Sequence, residues 1–252
     1  MGKVRSVLKD SNYLKHTYSD KIAPPGSYPH MLSEWLVKKA YSTTGRILDV
    51  GCGRGDFLHT FKRLGFEPCG LDISPNIEEL SDYDVRQINF EEDELPFEKE
   101  SFDFAFSKSV IEHIQDPHNF LKATYDSLKS GGKAVIMTPS WEHTYWGPFY
   151  IDNTHVSPYT SYSLKTALEM QGFKNVKVVY FYQLPFLWKF PWLKIIAKII
   201  AKLPIPYSPY NNVPWKTSRW LNKLVRFSKE VMLLAIAEKG YVKNETYRYC
   251  RY

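Results

Sequence analysis

Three glycines in five positions, Gly51, Gly53 and Gly55, lie between two aspartates, Asp49 and Asp56, and a third aspartate, Asp72, closes the next apolar segment. A turn so rich in glycine admits positive φ and lets a ligand come close to bare backbone. Its ligand is not a phosphate. A dinucleotide loop needs G-x-G-x-x-G, and here the third glycine comes one residue early, with Asp56 in the remaining place. A carboxylate in the first helical turn repels a pyrophosphate bound at that helix N-terminus. No G-x-x-x-x-G-K-[ST] occurs either, which removes the P-loop. What remains is a nucleoside without phosphates, preferably a cation. Asp49 suits a positive amino group, and Asp72 is placed to accept both hydroxyls of a ribose.

These residues need a scaffold, and the hydrophobic pattern supplies one. Buried or half-buried strands are expected over 46–50, 66–72, 83–90, 102–107, 133–138 and 176–182, with a strand-like run at 231–237. Helices are expected over 29–41, 56–64, 116 to about 130, and 160–171; Ser74-Pro75 reads as a cap followed by proline at the first helical position. Strand and helix alternate through residue 182, which is the pattern of a parallel sheet covered on both faces. The glycine loop then joins a strand to a helix, at the carboxyl ends of the strands where open α/β sheets bind ligands. The expected organisation is a single α/β domain: an N-terminal helical cap at 1–44, a core of 45–183 and 230–240, and an insert of 184–229 between the last two strands.

The chain has 252 residues, 44% hydrophobic and 24% charged, which excludes a disordered chain and allows one large core. The net charge of +6 hides an asymmetry. Residues 174–252 carry 15 Lys/Arg against three acids, and residues 1–173 carry 18 against 24. An acidic body with a basic, aromatic tail part favours an anionic partner. Three cysteines, Cys52, Cys69 and Cys250, exclude a disulfide scaffold, and no Cys/His spacing suggests structural zinc. The N-terminus has no apolar core for a signal peptide, its Met-Gly start with Ser6 is only a formal myristoylation match, and no run of 18 apolar residues occurs; a cytoplasmic location is expected.

Asp49-x-Gly51-x-Gly53-x-Gly55, Asp72, Leu95-Pro96-Phe97, Phe102-Asp103, Val110-Ile-Glu-His113 and Leu128-Lys-Ser-Gly-Gly132, in that order, resemble the class I S-adenosylmethionine-dependent methyltransferases. The resemblance covers roughly 40–182 plus the final strand. It implies a Rossmann-like, mostly parallel seven-stranded sheet and S-adenosylmethionine as cofactor. By the same resemblance Gly51 and Gly53 line the cofactor, Asp49 lies near its amino-acid part, Asp72 holds the ribose and Ile73 lies against the adenine. The third strand's end, Asn89-Phe90-Glu91, reaches the adenine; relatives often carry an acid there, and either Asn89 or Glu91 could take its place, with Phe90 among the lining positions. Ser107 lies beside the methionine part. A looser likeness, over Met137-Thr-Pro-Ser-Trp141 and His155-Val-Ser-Pro158, is to methyltransferases of cell-surface glycan and lipid biosynthesis and to ubiquinone-biosynthesis O-methyltransferases. It implies a saccharide, lipid-linked or small-molecule acceptor methylated on oxygen, or else a cofactor-binding subunit without turnover.

Methyl transfer to an alcohol needs alignment and removal of a proton, and histidine is the natural base near neutral pH. His113 follows the fourth strand, in the loop that faces the transferred methyl in relatives; its alternative is helix packing. His155, in Asp152-Asn-Thr-His155, lies where relatives form the acceptor site; its alternative is a loop-structuring role. His143 and Asp152 are weaker candidates. Asp152 with His155 could hold a divalent ion, but two ligands are too few and no metal is assigned. In the insert, Lys194, Lys198 and Lys202 form one stripe on an otherwise apolar helix beside tryptophans, and a second basic stretch follows at 215–229. Such a segment docks at a membrane interface, or serves as a lid, sheet cover or dimer contact, with its aromatics (Trp188, Trp192, Tyr207, Tyr210, Trp215) able to stack on a sugar. Nucleic acid is disfavoured, because the body is acidic and 184–203 is apolar.

Overall fold

A computed structural model describes residues 27–208 and 219–241. The Met-Gly start, Tyr210, Trp215 and Cys250 lie outside the described residues, as does most of the expected N-terminal cap.

Six strands run one way and one runs against them. Strands β1 (Arg46–Val50), β2 (Glu67–Asp72), β3 (Asp84–Gln87), β4 (Phe102–Lys108), β5 (Leu128–Pro139), β6 (Phe173–Phe181) and β7 (Met232–Lys239) form one sheet in the order β3-β2-β1-β4-β5-β7-β6. All pairs from β3 to β5 are parallel, and β7 pairs antiparallel with both β5 and β6. The sheet is therefore mixed, parallel apart from β7. The chain moves outward from β1 in one direction through β2 and β3, then returns to build β4 and β5 on the other side. The reversal leaves a crevice between β1 and β4 at their carboxyl ends, and the glycine loop leaves β1 there.

Period-two alternation along the strands splits the core between the two faces. Leu48, Val50, Ala134 and Ile136 pack with Phe120 of α3 (His118–Ser127) and Leu164 and Leu168 of α5 (Ser161–Gln171). Ile47, Val135 and Met137 face the other way, against Leu32 and Leu36 of α1 (Tyr28–Leu36) and Phe61 of α2 (Asp56–Arg63). A register shift between Phe102 and Phe104 puts these two aromatics, although two residues apart, on opposite cores. Between α3 and α5 lies the short α4 (Trp141–Thr144). The cap of α5 is local chemistry: Thr160 Oγ1 accepts the Ser163 N–H at 3.0 Å, and Gly172, at φ +108°, ends the helix.

Several boundaries differ from the sequence expectation. The helix from 29 ends at Leu36 and widens into a π-helical turn over Val37–Tyr41. Strand β3 stops at Gln87, not at 90: it is a mostly exposed edge whose Val85 meets only the small cluster of Cys52, Leu58 and Leu80, and Ile88 and Phe90 enter the main core from the loop that follows. Strand β5 begins at Leu128 rather than 133, directly after α3, and β6 begins at Phe173 rather than 176.

The insert folds into α6 (Pro185–Lys189), α7 (Lys194–Lys202) and α8 (Arg219–Lys229). They close a small core of their own, where Leu187, Ala197, Val231, Leu224 and Phe227 meet. None of the described helices is long and apolar enough to cross a membrane.

Candidate active site

All three loop glycines are left-handed, at φ +86° (Gly51), +52° (Gly53) and +77° (Gly55). At Gly51 the requirement is also steric: a Cβ there would stand 2.2 Å from Val110 Cγ2. The loop after β4 thus crosses directly over the loop after β1. At Gly53 a Cβ would meet nothing within 4 Å, so this glycine faces open space. A glycine with no internal steric need and an open flank is the position where ligand can reach backbone.

Asp72 is 8% exposed, and each of its oxygens accepts one backbone N–H, Gly53 to Oδ2 and Ser74 to Oδ1, both at 2.8 Å. Each carboxylate oxygen keeps a second lone-pair site, so the pair can still accept two hydroxyls. Burial raises the Asp72 pKa despite these hydrogen bonds. Asp49, at 2% exposure, has Oδ2 without a hydrogen-bond partner. Burial, then the charges of Asp72 and Asp56, push its pKa well above the usual carboxylate range. A buried, unpaired anion of this kind is stabilised by a cation arriving in the crevice. Asp56 pairs with Arg54 at 2.7 Å.

The remaining cofactor positions sort unequally. Glu91 Oε1 accepts the Gln115 N–H at 3.1 Å, while Asn89 keeps a buried Nδ2 without a partner. Phe90 is buried edge-to-face against Phe120, 5.4 Å between centroids, in the core. Ser107 is buried at the right strand end, but its hydroxyl donates to Val50 O at 2.7 Å, so its proton pins β4 to β1 across the crevice. Ile73 follows Asp72 directly, and its carbonyl accepts from Gln87 Nε2.

The two candidate bases, 42 positions apart in sequence, meet with ring centroids 4.7 Å apart. The reason is Glu112. Its backbone carbonyl accepts the N–H groups of Val156 and Ser157, at 2.9 and 3.0 Å, and Ser157 Oγ donates to Ile114 O at 2.6 Å. The loop after β5 is thus hung on the loop after β4. Glu112 itself is fully buried, with Oε2 accepting from Thr138 and Oε1 without a partner. His155 Nδ1 lies 2.6 Å from Phe149 O, which can only accept, so Nδ1 carries the proton and Nε2 the lone pair. At His113 the same follows by one more step. Thr154 Oγ1 donates to Asp152, so it accepts from His113 Nδ1, 2.8 Å away. Burial lowers the His113 pKa, against the opposing charges of Glu112 and Asp152, so its ring stays neutral at pH 7. Asp152 therefore orients His113 through Thr154, and the His155 backbone N–H donates to the Asp152 carbonyl at 3.2 Å. His143 is turned away to Ser140 and Tyr180.

Sequence reasoning missed Glu112 and Thr154. Glu112 was legible as the neighbour of His113, but nothing in a linear pattern tells a buried glutamate from a solvated one. An open groove of about 480 Å³ runs between the loop after β5 and the insert. Its lining includes Trp146, Pro148 and Ile151 of the loop that holds His155, and Ile205, Pro206 and Tyr207 of the insert.

Comparison with known proteins agrees with this geometry. Residues 22–178 match the family model described as a methyltransferase domain. A ubiquinone biosynthesis O-methyltransferase of Ruegeria pomeroyi is 34% identical over 100 residues, 37% of this chain and 40% of that protein, so the chain spans well under half of that relative's length. A solved S-adenosylmethionine-dependent methyltransferase from Archaeoglobus fulgidus is 25% identical, with TM-score 0.56 over 83% of this chain and 94% of its own. The phosphoethanolamine N-methyltransferase 2 of Haemonchus contortus, solved with phosphomonomethylethanolamine and S-adenosylhomocysteine, shares the fold at 19% identity and TM-score 0.61, over 94% of this chain and 60% of that one. The open flank of Gly53, the doubly anchored Asp72 and the unpaired buried Asp49 carboxylate all fit S-adenosylmethionine. The chain belongs to the methyltransferase-domain family and carries the fold of the S-adenosylmethionine-dependent methyltransferases.

Proposed function

We propose that the protein methylates a hydroxyl oxygen of an acceptor that carries an apolar tail. S-adenosylmethionine supplies a methyl carbon already activated by its sulfonium. The chain's task is therefore alignment and proton removal, for which orientation contributes on the order of 7 kcal/mol or more and a positioned base about 10²–10⁴ in rate. The observation that carries the reading is the histidine pair. Both rings are held at Nδ1 by hydrogen bonds, which orients Nε2 as the atom that acts on an acceptor hydroxyl. Val110, three residues before His113, packs over Gly51, so the loop that carries His113 starts at the glycine loop. Asp72 holds the ribose diol, Asp49 offsets the cofactor's positive charge, and Asn89 meets the adenine edge.

The groove between the His155 loop and the insert supports an acceptor with an apolar tail. A prenylated phenol and a lipid-linked saccharide share that description, and the name of the ubiquinone biosynthesis relatives favours the first. Transfer of labelled methyl to a prenylated catechol, set against a polyprenyl-linked sugar, tests the choice. Product from neither, with cofactor bound, would remove the reading; His113→Asn and His155→Asn are each expected to lower turnover at least about tenfold.

The insert supports a working position at an anionic bilayer. Trp192, Ile195, Ile196, Ile199 and Leu203 form an outward face on and beside α7, with Trp192 71% and Ile195 63% exposed, while Ala197 faces inward. Lys194, Lys198 and Lys202 flank that face, and residues 184–229 hold nine Lys/Arg and no acid, a charge complementary to anionic lipid. Co-flotation with phosphatidylglycerol vesicles that weakens in salt, and fails for Ile196→Asp/Ile199→Asp, is the expected result. Flotation equal on neutral and anionic vesicles, or none, would end the idea.

A further inference from the structure

Glu112, His113 and His155 each offer one ligand atom, and the three atoms lie within 4.8 Å of one another. We infer that this triad is a binding site for a divalent transition cation, and that the cation, rather than a bare imidazole, takes the acceptor's hydroxyl oxygen. The inference rests on the proposed O-methylation for its role, but not for its chemistry as a cation site.

Four observations converge. First, the ligand set is two imidazoles and one carboxylate, which suits zinc, manganese or iron(II) better than magnesium, and leaves coordination positions open for substrate. Second, the three ligand atoms already face one another within 4.8 Å, and ligands about 2.1 Å from a common ion in a tetrahedral or octahedral set stand about 3.0–3.4 Å apart, so a pair at that limit closes by about 1.5 Å on binding. Third, Glu112 is fully buried with Oε1 unpartnered. A buried carboxyl oxygen in that state costs free energy unless a donor or an ion meets it, and Lys108, which acts on Glu112 electrostatically, donates no hydrogen bond to that oxygen. Fourth, every ligand is held from behind. Thr138 donates to Glu112 Oε2 at 2.9 Å, the Phe149 carbonyl holds His155 Nδ1 at 2.6 Å, and the Asp152–Thr154 couple holds His113 Nδ1 at 2.8 Å. Such outer partners fix the tautomer and aim the metal-binding nitrogen. A surface pair of histidines has no reason to be supported in this way, one by a carbonyl and the other by a carboxylate relay.

The chemical consequence is a change of role for the pair. An acceptor hydroxyl bound to the cation has its O–H bond weakened, its proton passes to bulk water, and the oxygen remains on the ion as the nucleophile. Two adjacent hydroxyls would chelate it, so an acceptor with vicinal oxygens is preferred over one with a single hydroxyl.

The test uses the full chain, stripped with chelator and dialysed against Zn²⁺ or Mn²⁺. Expected is close to one equivalent per chain by elemental analysis, falling at least about tenfold in occupancy for His155→Ala and for Glu112→Gln. With Co²⁺ as probe, a visible ligand-field band should appear in the wild type and vanish in both variants. Glu112→Gln keeps the shape of a buried side chain; if it fails to fold, His155→Ala, at a half-exposed position, carries the test alone. Substoichiometric binding by the wild type, or full binding by His155→Ala, overturns the site. Methyl transfer that survives complete metal removal but is lost in His155→Ala overturns the cation's role while the O-methylation reading stands. Stoichiometric, triad-dependent metal with no product from any hydroxylated acceptor keeps the site and sinks the reading of function.

Discussion

Two glycines two residues apart should fail in different ways when replaced by alanine. At Gly53 the backbone sits at φ +52° and an added Cβ meets nothing within 4 Å. Gly53→Ala then carries only the left-handed penalty, about 1–2 kcal/mol. For a chain of this size that lowers Tm by roughly 2–8 °C. The methyl, however, fills the open flank on which the proposed function seats the cofactor. Affinity for S-adenosylmethionine should fall at least about tenfold, or 1.4 kcal/mol. At Gly51 the φ of +86° brings a similar penalty, and Val110 Cγ2 at 2.2 Å adds an overlap. Overpacking of that kind costs about 1–3 kcal/mol more, so Gly51→Ala should lose about 2–5 kcal/mol. Adding Val110→Ala should return the overlap part and leave the backbone part. Differential scanning fluorimetry reads the stabilities, and titration calorimetry with S-adenosylmethionine and S-adenosylhomocysteine reads the affinities. A Gly53→Ala protein that binds both within twofold of the wild type would refute the placement of the cofactor on this loop.

Asp49→Asn should stabilise the cofactor-free protein at pH 7 while weakening cofactor binding. The Asp49 pKa is raised by burial, so folding disfavours its charged form, and the native state gains stability as pH falls through that raised value. The Tm advantage of the amide should accordingly be largest at neutral pH and shrink on acidification; a gap that widens toward acid would contradict the assignment of an unpaired buried charge. Asp72→Asn loses two charge-assisted bonds from Gly53 and Ser74, each worth about 1.5–3 kcal/mol, and turns an amide N–H toward a donor. Cofactor affinity should fall at least about tenfold by calorimetry, and an unchanged value would remove the ribose role. Thr154→Val cuts the relay from Asp152 to His113 while keeping the side chain's shape; turnover should fall about tenfold with the cofactor Kd unchanged, and loss of cofactor affinity instead would point to a purely structural hydroxyl.

How much of this was written in the sequence depends on the length scale of each interaction. The strand-loop-helix of 46–63 was legible because its determinants are local: a run of β-branched and apolar residues, glycines that alone accept positive φ, and an acid that rejects phosphate. Asp72 was legible because a fixed unit, one helix and one strand, separates it from the loop. Strand β3 reads too long in the sequence because Ile88 and Phe90 continue its apolar pattern, and only tertiary packing reveals that they enter the core from the loop after it.

The histidine pair lies between these cases. Each ring was identifiable from its loop, but their meeting depends on a hydrogen-bond pattern with no sequence signature, two consecutive amides of the 156–157 turn closing on one carbonyl of Glu112. That pattern has a further physical consequence. Glu112 uses its backbone to join the two loops and its side chain to face the two rings, so the geometry of the site and its electrostatics are set by one residue. Replacing the carboxylate alone leaves the carbonyl, and with it the loop junction, in place. Glu112→Gln is for that reason the most informative single substitution in the protein: it asks what the buried charge is for without moving the histidines that face it.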